Sequence, residues 1–143
     1  MSGVRAVRYL LANHSPLTAV IPAAQIMAGD DLPMNTVLPA ILVAQISSVP
    51  VNNIQINESP KAHVDRVQVT WFFKGPEGSP SGTGYVGVNA TDALVRAACP
   101  SQRGTINGVA VDAIWPAEQG PDLSSRELAV QSRSRDLMVR WHE

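Results

Sequence analysis

Arg135-Asp136-Leu137-Met138-Val139-Arg140-Trp141-His142-Glu143 closes the chain, with apolar Leu137, Val139 and Trp141 alternating with polar or amphipathic neighbours. Successive side chains of a strand point to opposite faces, so the alternation predicts a half-buried strand and a chain end tied into a sheet. Upstream, the apolar residues sit at even positions (Leu128, Val130) before they move to odd ones. Residues 127–141 therefore read as one long or bulged strand, with a bulge near 132–134 accounting for the switch. A second strand follows the type I′ turn signal Asn107-Gly108, carrying Val109, Val111 and Trp115 as far as Pro116. In a third, Val67, Val69, Trp71 and Phe73 alternate with Arg66, Gln68, Thr70 and Phe72, ending at Lys74-Gly75-Pro76. Residues 38–47 are apolar at both alternating sets, which predicts a strand buried on both faces.

Helical periodicity appears ahead of this strand-rich stretch and again within it. Val4, Val7, Leu10 and Leu11 share one helical face, so residues 3–13 read as a helix with Ser2 as its cap. Ser15-Pro16 reads as the cap and first position of one further turn, broken by Pro22. Residues 23–37 are mainly loop, with Ile26-Met27 a short extended piece. Ala90, Ala93, Leu94, Ala97 and Ala98 mark another helix, with Asn89 as a plausible cap, Asp92 in its first turn and Arg96 near its end; a start nearer Tyr85 is an alternative. Two segments resist assignment to regular structure. Residues 49–62 form a long loop or a protruding hairpin arm, and the Gly/Pro/Ser-rich residues 75–84 form a mobile linker. The expectation is a single α+β domain over residues 1–143: a mainly antiparallel sheet of about four strands with two helices packed on it, in the order α-β-β-α-β-β.

Composition narrows the function classes. Hydrophobic residues make up 45% of the 143 and charged ones 16%, below the roughly 25% of an average soluble domain. A weakly charged surface is compatible with burial against partner subunits. The formal net charge of −1 and pI near 6.3 lack the basic footprint that binds a phosphate backbone. No apolar run approaches the ~20 residues that span a bilayer. The N-terminal residues carry arginines and no continuous apolar core of a signal peptide, so residence in a cytoplasm is expected. Cys99 is the one cysteine and has an ordinary packing explanation.

Residues with chemistry are scattered. His14, His63 and His142 stand at no helical ligand spacing to another His, Cys or carboxylate, which argues against a metal site; His14 reads as a helix-end residue. Neither Cys99 with a histidine nor a serine with His63 and Asp65 sits in a nucleophile-elbow context, and Gly82-Thr83-Gly84 lacks the lysine of a phosphate loop. No catalytic, cofactor-binding or metal-binding residue is expected, and the chain is not read as an enzyme. Arg126, Arg133, Arg135 and Arg140 gather positive charge toward the C-terminus. Asp30-Asp31 are either solvated loop carboxylates or partners of those arginines across a subunit boundary.

In this order of elements the chain resembles the phage tail terminator family, also called tail completion or tail-to-head joining proteins. The residues that carry the resemblance are the opening helix and turn before Ile26-Met27, Leu38-Pro39-Ala40-Ile41-Leu42-Val43, and Val64-Asp65-Arg66-Val67-Gln68-Val69-Thr70-Trp71. A further set joins Thr91-Asp92-Ala93-Leu94-Val95-Arg96-Ala97-Ala98 and Arg103-Gly104-Thr105-Ile106-Asn107-Gly108-Val109 to the final strand. The resemblance implies a virion protein of the tail or neck, made in the host bacterial cytoplasm, that assembles with itself as a ring, commonly of six. The ring would sit on the end of the tail tube, stop its polymerisation and dock the head connector. The implied partners are the tube protein and the connector, with no cofactor, no membrane and no sequence-specific nucleic acid binding, although DNA would pass through the ring. The insertion at 75–84 departs from the family's quicker passage from strand to helix. Candidate subunit or partner contacts are Asp30, Asp31, Asn52, Asn53, Ile54, Lys61, Glu77, Arg126, Arg133 and Arg135. Another neck component, such as a head-closure or connector protein, is the nearest rival, and a small ligand-binding domain the more distant one.

Overall fold

Strand β3 (Ala62–Lys74) is the spine of the computed structural model. Val67, Val69, Trp71 and Phe73 line one of its faces and are all buried, while Arg66, Gln68, Thr70 and Phe72 on the other are half-buried. The structure describes residues 2–29, 31, 33, 36–51, 62–74, 84–120, 123–125 and 130–143. The remaining elements in chain order are α1 (Ser2–Ala12), α2 (Ser15–Thr18), a 3-10 turn (Ala23–Gln25), β1 (Ile26–Ala28), β2 (Ala40–Val51), α3 (Gly84–Ala98), β4 (Gly104–Ile106), β5 (Val109–Gln119), β6 (Leu123–Ser125) and β7 (Val130–His142).

The strands form one seven-stranded sheet in the order β1-β2-β3-β7-β5-β4, with β6 also on β7. β1 runs parallel to β2 and every other pairing is antiparallel. The sheet is curled, and α1 lies against β1, β2, β3, β4, β5 and β7. A helix can touch both ends of a sheet's strand order only from inside its curl. Its apolar stripe explains the position, since Val4, Ala6, Val7 and Leu11 are buried among Val43, Val67, Val69, Val111 and Val139 of the sheet. α3 packs on β3 and β7 from the same side, where the Trp71 indole N–H donates to the Val88 carbonyl at 2.9 Å.

This architecture corrects the expectation of about four antiparallel strands, two helices and an α-β-β-α-β-β order. Among the described residues the sheet is mixed, has seven strands, and is accompanied by three α-helices. The extra strands β1, β4 and β6 are three residues each, too short to show a period of two, and are created by pairing with longer neighbours. No bulge interrupts the β3–β7 ladder, which runs without a shift from Ala62↔His142 to Lys74↔Val130; the irregularities fall in the β2–β3 and β5–β7 ladders. α3 starts at Gly84, so Asn89 and Asp92 lie inside the helix. The Asn107-Gly108 turn is as expected, with φ of 47° and 80° joining β4 to β5.

Ser2 does not cap α1. The buried Asp65 carboxylate, distant in sequence, fills that role: its Oδ2 accepts the Gly3 N–H at 2.9 Å and the Trp141 indole N–H at 2.8 Å. The free N–H groups at a helix start favour an anion, so α1, β3 and β7 meet at one carboxylate. The Trp141 ring also stacks on His63, centroids 4.5 Å apart. A Cβ on Gly3 would stand 2.7 Å from Asp65 Oδ2 and 2.8 Å from its Cβ. Gly→Ala in a helix ordinarily stabilises by about 0.5–1 kcal/mol; for Gly3→Ala we expect the opposite sign, a loss of about 1–3 kcal/mol in urea unfolding from overpacking against Asp65.

Candidate assembly surface

The charged residues divide between the two faces of the sheet, and the face that carries α1 and α3 neutralises its own. Arg135, paired in register with Val69, points to the helices. Its guanidinium grips Asp92 of α3 in bidentate fashion, with Nε at 2.5 Å from Oδ1 and Nη2 at 3.0 Å from Oδ2, while Arg96 reaches Oδ2 one turn along at 3.2 Å. Asp92 is therefore a tether between helix and strand. Arg133 pairs with Trp71 and is half-buried on the same side.

On the helix-free face, Arg66 donates from Nε to Asp136 at 2.7 Å and from Nη2 to Glu118 at 3.1 Å. The hydrogen bond and charge of Asp136 hold the Arg66 guanidinium above its usual range. Toward the end of the sheet, Arg103, Asp112, Ala113 and Arg140 line an open hollow of about 400 Å³, and Asp112 Oδ1 lies 3.0 Å from His142 Nδ1.

Three exposed apolar side chains stand on the sheet edges, while Tyr9 of α1, Val20 and Val37 are exposed elsewhere. Val49 is 58% and Ile46 52% exposed on β2, and Trp115 is 40% exposed on β5. β2 is buried on both faces only at Ala40–Val43, then continues past the expected end of the strand with residues 46–50 exposed. β2 stays paired with β3 as far as Val51↔Ala62, where β3 is itself paired with β7, so both ends of the stretch that read as loop or hairpin arm belong to the sheet. The long uncharged run from Ala40 to Val51 was the available signal for this surface, masked by its likeness to a core strand.

Of the contact residues proposed from the sequence, Asp30, Asn52, Asn53, Ile54, Lys61, Glu77 and Arg126 lie outside the described residues, as do 75–83 of the linker. Asp31 is exposed in the loop after β1. Arg135 is committed to Asp92 within the chain.

No three His, Cys, Asp or Glu side chains cluster as a metal site among the described residues, and no helix there is long and apolar enough to cross a membrane. His63 Nε2 stands 3.4 Å from Glu143 Oε1 without hydrogen-bond geometry. His14 leads into α2, its carbonyl accepting from Leu17 and Thr18. Cys99 is buried, and burial pushes its thiol up to about 12 from 9.0.

The sequence matches no known family description, and no curated protein aligns with it. Solved structures do share the fold. A chain of the virion of a native gene transfer agent particle superposes with a TM-score of 0.66 at 11% identity, over 98% of this chain and 94% of that one. A second solved chain, which carries no descriptive name, superposes at 0.57 with 12% identity, over 100% of this chain and 96% of its own.

Two outcomes follow from the buried charges. Arg135, 13% exposed at its side chain, leaves Asp92 poorly compensated when removed, whereas Arg96 is 52% exposed. Arg135→Ala should cost about 2–4 kcal/mol in chemical denaturation and Arg96→Ala at most about 0.5 kcal/mol. The Cys99 thiol binds its proton more tightly folded than unfolded, so stability is constant below pH 9 and falls as the pH rises from 9.0 toward 12. Cys99→Ala should flatten that decline in pH-dependent unfolding curves.

Proposed function

We propose that this chain is a virion structural protein that assembles as a ring, commonly of six, on the end of a phage-type tail tube. There it stops polymerisation and presents a docking face to the head connector. The single observation that carries the reading is the end-to-end likeness to a chain of a gene transfer agent virion, because it spans nearly the whole of both chains. The exposed apolar residues at the edges, Ile46, Val49 and Trp115, support a protein whose surface meets other subunits. Capping works by occupation: a ring complementary to the last tube layer on one face and different on the other leaves nothing for the next layer to bind. No bond is made or broken, and the partners are copies of itself, the tube protein and the connector, in the tail or neck of the particle.

Light scattering across a concentration series, negative-stain imaging and a tube-growth assay test this reading. Closed rings and tubes whose growth stops on addition of the protein are expected. Co-sedimentation with DNA-filled heads in place of tubes would move the chain to another neck component, and a preparation that neither forms rings nor alters tube growth would end the reading.

A further inference from the structure

We propose that neighbouring copies join edge to edge, with β2 of one copy adding to β5 of the next so that the sheet continues from subunit to subunit. This rests on the ring reading and says how the ring is held. β1 pairs with β2 only at Ile41–Val43, and β4 pairs with β5 only at Val109–Val111. Beyond those short stretches, 46–51 of β2 and 113–119 of β5 have no strand on their outer side among the described residues. Apart from Pro50 and Pro116, which have no N–H, both present backbone N–H and C=O groups at an edge, the feature by which strands recruit another strand.

Three features make the two edges fit each other. The first is polarity. β2 is antiparallel to β3, β3 to β7 and β7 to β5, so β2 and β5 run in opposite directions within one copy. Copies related by rotation about an axis along the strands therefore meet as an antiparallel pair, with the same contact repeated around the circle.

The second is charge. Edge strands that must stay solitary usually carry charged residues as a deterrent. Ala40–Val51 contains none, and Ala113-Ile114-Trp115-Pro116-Ala117 contains none either. The one charge within 113–119 is Glu118, which Arg66 of the same chain already pairs at 3.1 Å, so the joined edges set no unpaired ion against each other.

The third is the facing of the apolar side chains. Val49 is in register with Val64, and Trp115 with Met138, itself in register with Arg66. Val64 and Arg66 point to the helix-free face, so Val49 and Trp115 share that face at opposite edges of the sheet. Along the ladders Val49 is level with Val64, Arg140 and Ala113, so continuing the sheet without a shift along the axis sets Val49 beside Ala113 and diagonal to Trp115, which stabilises both the pairing and its register.

Cysteines at Val49 and Ala113, with a short bis-maleimide, test the contact; the buried Cys99 thiol is out of the reagent's reach. Val49→Cys and Ala113→Cys in the same chain should give a ladder of covalent multimers on a denaturing gel, and neither change alone should. Val49→Lys should raise the concentration needed for assembly by about tenfold or more while leaving thermal unfolding unchanged. Assembly that persists with no ladder, or a covalent dimer from Val49→Cys alone, would overturn the edge contact and leave the ring standing. A protein that stays monomeric at every concentration would overturn both.

Discussion

A carboxylate buried where a helix begins is the constraint on which the other layers depend. Asp65 has no exposure, and an isolated anion in such a place is too costly to keep. It is held by the Gly3 N–H at the positive end of α1 and by the Trp141 indole N–H. Three segments distant in sequence are thereby locked together: the start of α1, the spine strand β3 and the last turn of pleat in β7. With its N-terminus pinned at that point, α1 runs through the hollow of the curled sheet, and Ala6, Val7 and Leu11 fill it completely. The small size of Gly3 is part of the same constraint, because the backbone of α1 approaches the carboxylate more closely than any Cβ allows.

Filling the hollow from within has consequences for the outside. The helix-bearing face of the sheet has no surface left to offer, and its charges are tied to one another, Arg135 and Arg96 to Asp92. The surfaces left for recognition are the helix-free face, with its Arg66–Asp136–Glu118 chain, and the long edges that short β1 and β4 leave uncovered. The inner sides of α1 and α3 cover the helix-bearing face of the sheet, while their outer sides, with Tyr9, Asn89 and Arg96, are exposed.

Much of the sheet was legible. Val67, Val69, Trp71 and Phe73, and then Leu137 and Val139, alternate and are buried as their period requires. Asn107-Gly108 makes its turn because only a pair tolerant of positive φ fits there. Of the three-residue strands, β1 was read as a short extended piece and β4 is implied by the Asn107-Gly108 turn, but β6 was not legible, and the pairing of β1 and β6 belongs to the partner strand and not to their own side chains. Nor was the surface of β2: Ile46 and Val49 look like core residues, and an apolar run carries no mark that says whether another chain or its own core covers it. Asp92 read as a residue for the helix dipole, and its partner Arg135, 43 positions away, as one for a neighbouring subunit.

By itself the sequence determined the long strands β3, β5 and β7, the inward faces of β3 and β7 and where the tight hairpin falls, because these depend on local period and on φ preferences that neighbouring residues set. Tertiary structure alone decided the strand order, the curl around α1, the anchoring of α1 by Asp65 and the pairing of Asp92 with Arg135. Those rest on contacts between residues far apart along the chain, where burial makes a charge seek whichever partner the fold brings within reach.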